Sequence, residues 1–250
     1  MRILIITVAG MSRRFNRKCA KTVYYECSPK NSILYQVCLK AYKCDKIIIV
    51  GGYKIEDIKE YIESNMSLFK YKIELVFNSH FKDYGSGYSL MLGLMAAYKF
   101  SPDEIMFSEG DLYFDKESFD TVIETSSDVL TVNTLPIKAN KSVVVYENAN
   151  HFIRYIYDTK HKSLYIDERF VSIYNSAQIW KFATPKHMFS ILKNLSQKQI
   201  QGTNLEIIGE YFAKTKINKI KIISVEEWIN CNTIDDYKII FEKINTVKKI

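Results

Sequence analysis

The stretch Ile3-Leu4-Ile5-Ile6-Thr7-Val8-Ala9-Gly10-Met11-Ser12-Arg13-Arg14 decides the architecture. Its first part, Ile3–Thr7, is a short apolar and β-branched run, which predicts a strand buried on both faces, as in a parallel sheet covered by helices. The run then breaks into small residues and a cluster of five cations: Arg13, Arg14, Arg17, Lys18 and Lys21. A strand that passes directly into a small-residue turn presents backbone N–H groups at the carboxyl edge of the sheet. Open α/β sheets bind their ligands at that edge. Backbone donors reinforced by Arg and Lys suit a polyphosphate.

Outward from this stretch, strand and helix patterns alternate. Helical spacing over Ser32–Tyr42 is followed by a second apolar run at Lys46–Val50, closed by Gly51-Gly52. Ile55–Asn65 reads as helix, Lys72–Phe77 as strand, Tyr88–Phe100 as helix and Glu104–Ser108 as strand. This alternation predicts an α/β fold: a mostly parallel central sheet with helices on both faces. Past Asp111 the pattern changes. Val129–Leu135, Ser142–Glu147, Phe152–Tyr157 and Tyr165-Ile166 read as short strands of a small antiparallel insertion. Helices return at Pro185–Leu195 and Asn204–Ala213, then a strand at Lys219–Val225 and a terminal helix at Ile234–Lys248. With no linker, repeat or low-complexity segment, the chain reads as one domain over 1–250. Its first part, 1–115, is an α/β half and its second, 116–250, a mixed half.

Composition sets outer bounds. The 250 residues are 47% hydrophobic and 25% charged, which is ordinary for a globular chain. The net charge of +7 points to an anionic partner without choosing among phosphate ligands, nucleic acid or a membrane surface. The charge is spread along the chain and no nucleic-acid motif appears, so a nucleic-acid-binding module is the weaker class. Five cysteines, an odd number without a CxxC pair, favour reduced thiols over a disulfide framework or zinc site. The first apolar run is too short for a signal segment or a membrane span. A cytoplasmic protein without membrane attachment is expected. Four scattered histidines (His80, His151, His161, His187) show no metal-ligand spacing.

Two common phosphate loops are excluded, because GxxxxGK[ST] is absent and Gly10 stands alone where GxGxxG needs three glycines. A third pattern fits. Ala9-Gly10-Met11-Ser12-Arg13-Arg14, then Lys21 seven residues after Arg14, resembles the opening A-G-x-G-x-R…P-K of nucleotidyltransferases, with Ser12 for the second Gly and Ala20 for Pro. Lys30 competes for the lysine role because it follows Pro29, but spacing favours Lys21. Phe107-Ser108-Glu109-Gly110-Asp111 resembles the family's strand-end G-D motif. Asn78 to Leu90 (NSHFKDYGSGYSL) resembles the N-x-x-[YF]…S-L segment of bacterial phosphocholine-type cytidylyltransferases. Trp228 to Tyr237 (WINCNTIDDY) resembles the family's closing segment, with Asn232 where many members carry a metal-binding Asp.

The resemblance implies a Mg²⁺-dependent transfer of CMP from CTP to a phosphorylated small-molecule acceptor, with pyrophosphate released. Phosphocholine, phosphoglutamine and polyol phosphates are the implied acceptors, in capsule or lipooligosaccharide modification. A sugar-1-phosphate nucleotidyltransferase using UTP or GTP is the alternative, and the Tyr88-Ser89-Leu90 segment favours CTP. The resemblance makes residues 1–115 the nucleotide-binding half and residues 116–250 the acceptor-binding half, with Arg14 and Lys21 the implied catalytic cations. Val8, Ala9, Gly10, Met11, Ser12, Asn78, Gly85, Ser86 and Ser89 are implied for the nucleotide, and Asp111 with Asn232 for Mg²⁺. Glu168, Asn175 and Ser176 are candidates for the acceptor. Tyr155, Tyr157, Tyr165, Tyr174 and Trp180 could supply an aromatic box for a choline-type acceptor, or equally form core. Oligomeric state stays open between monomer and homodimer.

Overall fold

The computed structural model describes residues 1–15, 19–160 and 162–247, so Arg17, Lys18, His161 and Lys248 lie outside the described residues. Eleven strands and eight α-helices follow in chain order: β1 (Arg2–Val8), α1 (Ile33–Lys40), β2 (Lys46–Gly51), α2 (Ile55–Asn65), β3 (Ile73–Phe77), α3 (Ser86–Tyr98), β4 (Glu104–Glu109), β5 (Leu112–Phe114), α4 (Lys116–Glu124), β6 (Val129–Asn133), β7 (Val144–Asn148), β8 (Ile153–Ile156), β9 (Phe170–Phe182), α5 (Pro185–Leu192), α6 (Gln197–Gln201), α7 (Asn204–Phe212), β10 (Lys221–Ser224), β11 (Trp228–Asn230) and α8 (Ile234–Val247).

The main sheet runs β10-β6-β9-β4-β1-β2-β3. β3, β2, β1 and β4 are parallel, β9 is antiparallel to both β4 and β6, and β10 is parallel to β6. The sheet is therefore continuous across both halves of the chain. Successive residues of β1 feed opposite cores. Leu4 and Ile6 pack with residues of α1, α2, α4 and α8 on one face. Ile3 and Ile5 pack with residues of α3, α5 and α7 on the other. That two-sided burial is why β1 carries no polar alternation.

The chain winds from β1 out to β3, then α3 carries it back across to β4 on the opposite side of β1. The strand order reverses between β1 and β4. Their carboxyl ends are where such a sheet opens a crevice. In register, Thr7 of β1 sits beside Glu109 of β4.

The second half differs from the expectation. β6 is an inner strand of the main sheet rather than part of an insertion. Only β7 and β8 stand off that path, β7 pairing with β8 and with the first half of β9. Tyr165-Ile166 form no strand. β9 is a 13-residue strand that sequence alone does not reveal. Its pairing with β6 shifts register between Leu130 and Val132, and Gln178 takes a left-handed φ of 58°. A bulge of this kind hides the period-two pattern of a long strand. No described helix is long and apolar enough to cross a membrane. No disulfide joins the described cysteines, and burial pushes the Cys44 and Cys231 thiols up to about 12.

Candidate active site

The crevice between β1 and β4 holds a cleft of about 190 Å³, walled by residues 7–12, 20–22, 78–89 and 109–111. Its floor is built by close approach of two strand ends. A Cβ on Gly110 would lie 2.7 Å from the Thr7 carbonyl oxygen and 2.2 Å from a Val8 methyl. Only glycine lets β4 leave the sheet that close to β1. The Gly110 N–H donates to the Thr7 carbonyl at 3.0 Å, and its own carbonyl accepts from the Thr22 hydroxyl at 3.1 Å. Asp111 emerges at the mouth as a result.

Lys21 opens a short 3₁₀ turn, Lys21–Val23. Its Nζ donates to Asp111 Oδ2 at 2.7 Å, with both side chains largely buried. Lys30 is exposed and does not line the cleft. Arg14 reaches across to the C-terminal segment, where its Nη2 donates to Asn232 Oδ1 at 2.8 Å. The β5–β11 ribbon brings that segment in, and the Cys231 N–H donates to the Asp111 carbonyl at 2.8 Å. Arg14, Lys21, Asp111 and Asn232, of which the first and last are 218 positions apart, are thereby assembled at one edge.

Ser12, the residue standing where the motif carries a second glycine, has a left-handed φ of 52°. That conformation explains the glycine of the pattern, since a Cβ there costs roughly 1–2 kcal/mol. Val8, Ala9, Gly10 and Ser12 line the cleft, and Met11 does not.

Glu109 is the residue that sequence reasoning missed. It accepts from Thr7 Oγ1 at 3.1 Å and from the Asn204 amide of α7. Burial, then the neighbouring Asp111 carboxylate, push its carboxyl up to about 7. Glu109 and Asp111 thus crowd one corner, with Lys21 paired to Asp111. Phe81 was missed as well. It packs against Gly52 beside Ala9, where a Gly52 Cβ would come within 2.5 Å of it. Tyr84 also lines the cleft and stacks on His80 at 4.4 Å with an 11° interplanar angle. The aromatic density of residues 80–88 is the only sequence signal for this wall.

Asn78, Gly85, Ser86 and Ser89 line the cleft with polar groups already engaged, and Gly87 stands beside them outside the lining. Asn78 is buried, donates to Ser89 Oγ at 2.8 Å and accepts from the His80 N–H. The Gly85 and Gly87 N–H groups donate to the Gln201 and Gly202 carbonyls at 2.8 and 3.0 Å. Ser86 Oγ accepts from the Asn204 N–H at 3.0 Å. The two glycines therefore admit the 199–203 backbone rather than a flat base. Ser89 does not cap α3, which begins two residues before the expected start.

Glu168, Asn175 and Ser176 stand away from the cleft lining. Glu168 accepts from Tyr146 and Asn148, Asn175 donates to the Leu135 carbonyl, and Ser176 accepts from the Gln178 N–H. Their side-chain polar groups are held by neighbours in the second half of the molecule. As an acceptor set they stay an expectation.

A magnesium ion prefers hard oxygen ligands and keeps part of its shell for water and substrate phosphate. Asp111 offers a carboxylate at the mouth, and Glu109 and the Asn232 carbonyl stand nearby. No group of three or more His, Cys, Asp or Glu positioned for a metal occurs among the described residues. This donor set fits an ion shared with a phosphate ligand and does not fit an all-protein cage.

Solved structures share this fold. A Bacillus anthracis protein described as a candidate glucose-1-phosphate thymidylyltransferase, in complex with sucrose, superposes with a TM-score of 0.72 at 13% identity, covering 97% of this chain and 94% of that one. The inositol-1-phosphate CTP transferase of T. maritima gives 0.67 at 13% identity over 98% and 96%. The CTP:phosphocholine cytidylyltransferase of Streptococcus pneumoniae gives 0.64 at 14% identity over 98% and 100%. The chain has the nucleotidyltransferase fold. It belongs to the family described as a domain of unknown function, DUF6564, whose pattern matches residues 17–244. No curated protein sequence matches it.

Proposed function

We propose that this protein is a nucleotidyltransferase that moves a nucleoside monophosphate from a triphosphate, preferentially CTP, to a phosphorylated small molecule. The observation that carries the reading is the Lys21–Asp111 pair at the carboxyl ends of β1 and β4, 2.7 Å apart in a cleft. A structural ion pair has no need of that place, whereas an anionic polyphosphate and its counter-ion do.

A phosphate monoester loses its second proton near pH 6, so the acceptor needs no general base. Its oxygen attacks the α-phosphorus of the triphosphate. The new O–P bond forms as the bond to the β-phosphate bridging oxygen breaks, and pyrophosphate leaves with that electron pair. Catalysis is then positioning and charge neutralisation. Lys21 and Arg14 neutralise phosphate charge, and the 8–12 turn supplies backbone donors. Phe81 and Tyr84 form an apolar wall for the base. Mg²⁺, held by Asp111 with help from Glu109 or Asn232, would supply charge neutralisation across the phosphates.

The preference for CTP rests on the Tyr88-Ser89-Leu90 segment and on a backbone acceptor for the cytosine amino group. The Ala9 carbonyl accepts from the Tyr53 N–H and the Gly10 carbonyl from the Ser12 hydroxyl at 3.4 Å, and each keeps a second lone pair for the base. A mismatched base leaves that acceptor unpaired, a cost of about 1–3 kcal/mol. UTP should therefore bind roughly 5- to 150-fold more weakly. Thermal shift with CTP, UTP, GTP and ATP plus Mg²⁺ tests this. CTP should raise the Tm most and UTP less. A larger shift with UTP or GTP would move the protein to the sugar-nucleotide alternative.

A further inference from the structure

Aromatic rings recur every fourth residue beside the cleft, at His80, Tyr84 and Tyr88. The backbone places them. Asn78, buried and bonded to Ser89 Oγ, accepts from the His80 N–H at 2.8 Å. The His80 carbonyl in turn accepts from the Tyr84 N–H at 2.9 Å. That i,i+4 bond closes one helical turn, and side chains four residues apart on such a turn are neighbours. The imidazole accordingly stacks on the phenol, with centres 4.4 Å apart and planes 11° from parallel. Tyr88 stands at right angles to both rings, 5.1 Å from His80 and 5.2 Å from Tyr84.

These distances identify the surface left open. Tyr88 is almost equidistant from the two stacked rings, so it stands beside the stack and not on its end. His80 covers one face of Tyr84, and neither His80 nor Tyr88 covers the other. Tyr84 lines the cleft, whereas His80 and Tyr88 do not. The stack is therefore closed by His80 outside the cleft and open on the cleft side.

His80 contributes its ring and little else. Among the described residues its imidazole makes no side-chain hydrogen bond, Nδ1 standing 3.9 Å from Asp83 Oδ2. The Tyr84 hydroxyl has only a long contact, 3.4 Å from Gln197 Nε2. Phe81, the other ring in the lining, is wedged against Gly52 and tilted on Tyr53. Tyr84 is thus the ring of this wall that is backed on one face and free on the other.

We propose that a nucleobase lies flat on the open face of Tyr84 as the third layer of the stack, and that His80 is a positioning residue, never touching the base but holding the Tyr84 ring at the angle stacking needs. The presence of a nucleobase in the cleft rests on the nucleotidyltransferase reading. Every base has a π face, so stacking is tolerant of base identity. Tyr84 then supplies affinity, while the carbonyls of the 8–10 turn supply choice.

The test is binding of CTP and UTP with Mg²⁺, followed by calorimetry and by the proton spectrum of the nucleotide. Protons above the face of an aromatic ring are shielded, so cytosine H5 and H6 should move upfield in the complex. Tyr84→Leu should abolish that shift and weaken both nucleotides at least ~10-fold. Their affinity ratio should stay within about twofold of the wild type, because independent contributions add. Tyr84→Phe, which keeps the ring, should restore shift and affinity. His80→Ala should shrink the upfield shift and weaken CTP at least ~3-fold, the scale of losing a preorganised side chain. His80→Phe should restore both, an outcome that a role for the imidazole nitrogens would not give.

A wild-type complex in which H5 and H6 do not move upfield overturns the stack and leaves nucleotide binding standing. So does a shift that Phe81→Leu removes and Tyr84→Leu keeps. Unchanged shift and affinity in His80→Ala overturn the positioning role. A wild type that binds none of CTP, UTP, GTP or ATP overturns the nucleotidyltransferase reading, and the stack with it.

Discussion

At the scale of single residues, two lysines show how context sets the role of one side chain. Lys21 sits on Asp111 in the cleft, while Lys30 is exposed outside it. Lys21→Ala should therefore weaken CTP binding or cut turnover by at least ~100-fold, the scale of losing a key electrostatic group, and Lys30→Ala should change neither by more than about twofold. Steady-state kinetics on both variants check this, and a more damaging Lys30 change would misplace the phosphate loop. Lys40 has a different fate. It is buried on α1, its Nζ has no hydrogen-bond partner, and it lies 4.1 Å from the Tyr113 ring centre. Burial lowers its pKa to about 8. The folded state thus disfavours the charged form. Below pH 8 both folded and unfolded chains carry the proton, so the full penalty, on the order of 3 kcal/mol, is present there. It fades as pH rises from 8 towards the unfolded value of 10.5. Lys40→Met should stabilise the protein by about 1–3 kcal/mol at pH 7, and the gain should vanish near pH 10.5. Urea titrations of both proteins at the two pH values measure it, and a variant less stable at pH 7 would contradict the assignment.

At the scale of elements, the N-terminus of α3 is locked to the 199–203 segment, which ties the base side of the cleft to α7. A Cβ on Gly85 would lie 2.2 Å from the Gly202 carbonyl oxygen, and backbone cannot yield as a side-chain tip does. Gly85→Ala should cost about 1–3 kcal/mol and lower the Tm by several degrees. Calorimetry that finds an unchanged Tm would show that this contact is loose. The contact was not legible in the sequence, because the partners of Gly85 are 116 positions away. Neither was the Glu109–Asn204 bond, for the same reason. What was legible lies in local pattern: β1, β2 and β4 as buried apolar runs, and α2 over the residues expected. Lys21 and Asp111 were singled out by spacing and strand-end position, and the structure brings them together in the cleft. β5 and α4 went unread although Asp115 caps α4 by accepting from the Ser118 N–H. β9 went unread because Asn175, Ser176 and the bulge at Gln178 interrupt its apolar pattern.

At the scale of the whole molecule, one continuous sheet joins both halves of the chain, with Glu109 and Asp111 at the carboxyl end of β4 near its centre. On the proposed reading, the net charge of +7 steers a triphosphate to the crevice, so its association rate should fall as salt rises. The central claim is that the cleft transfers a nucleoside monophosphate. Its most direct test follows CTP labelled at the α-phosphate, with Mg²⁺ and a panel of phosphate monoesters, for the wild type and Asp111→Asn. The α-label should move into a CDP-linked acceptor, a diphosphate joining cytidine to the acceptor, as unlabelled pyrophosphate is released, and Asp111→Asn, still folded, should be slower by at least ~100-fold. If the α-label never leaves the triphosphate with any acceptor, or moves equally fast in Asp111→Asn, the claim is contradicted.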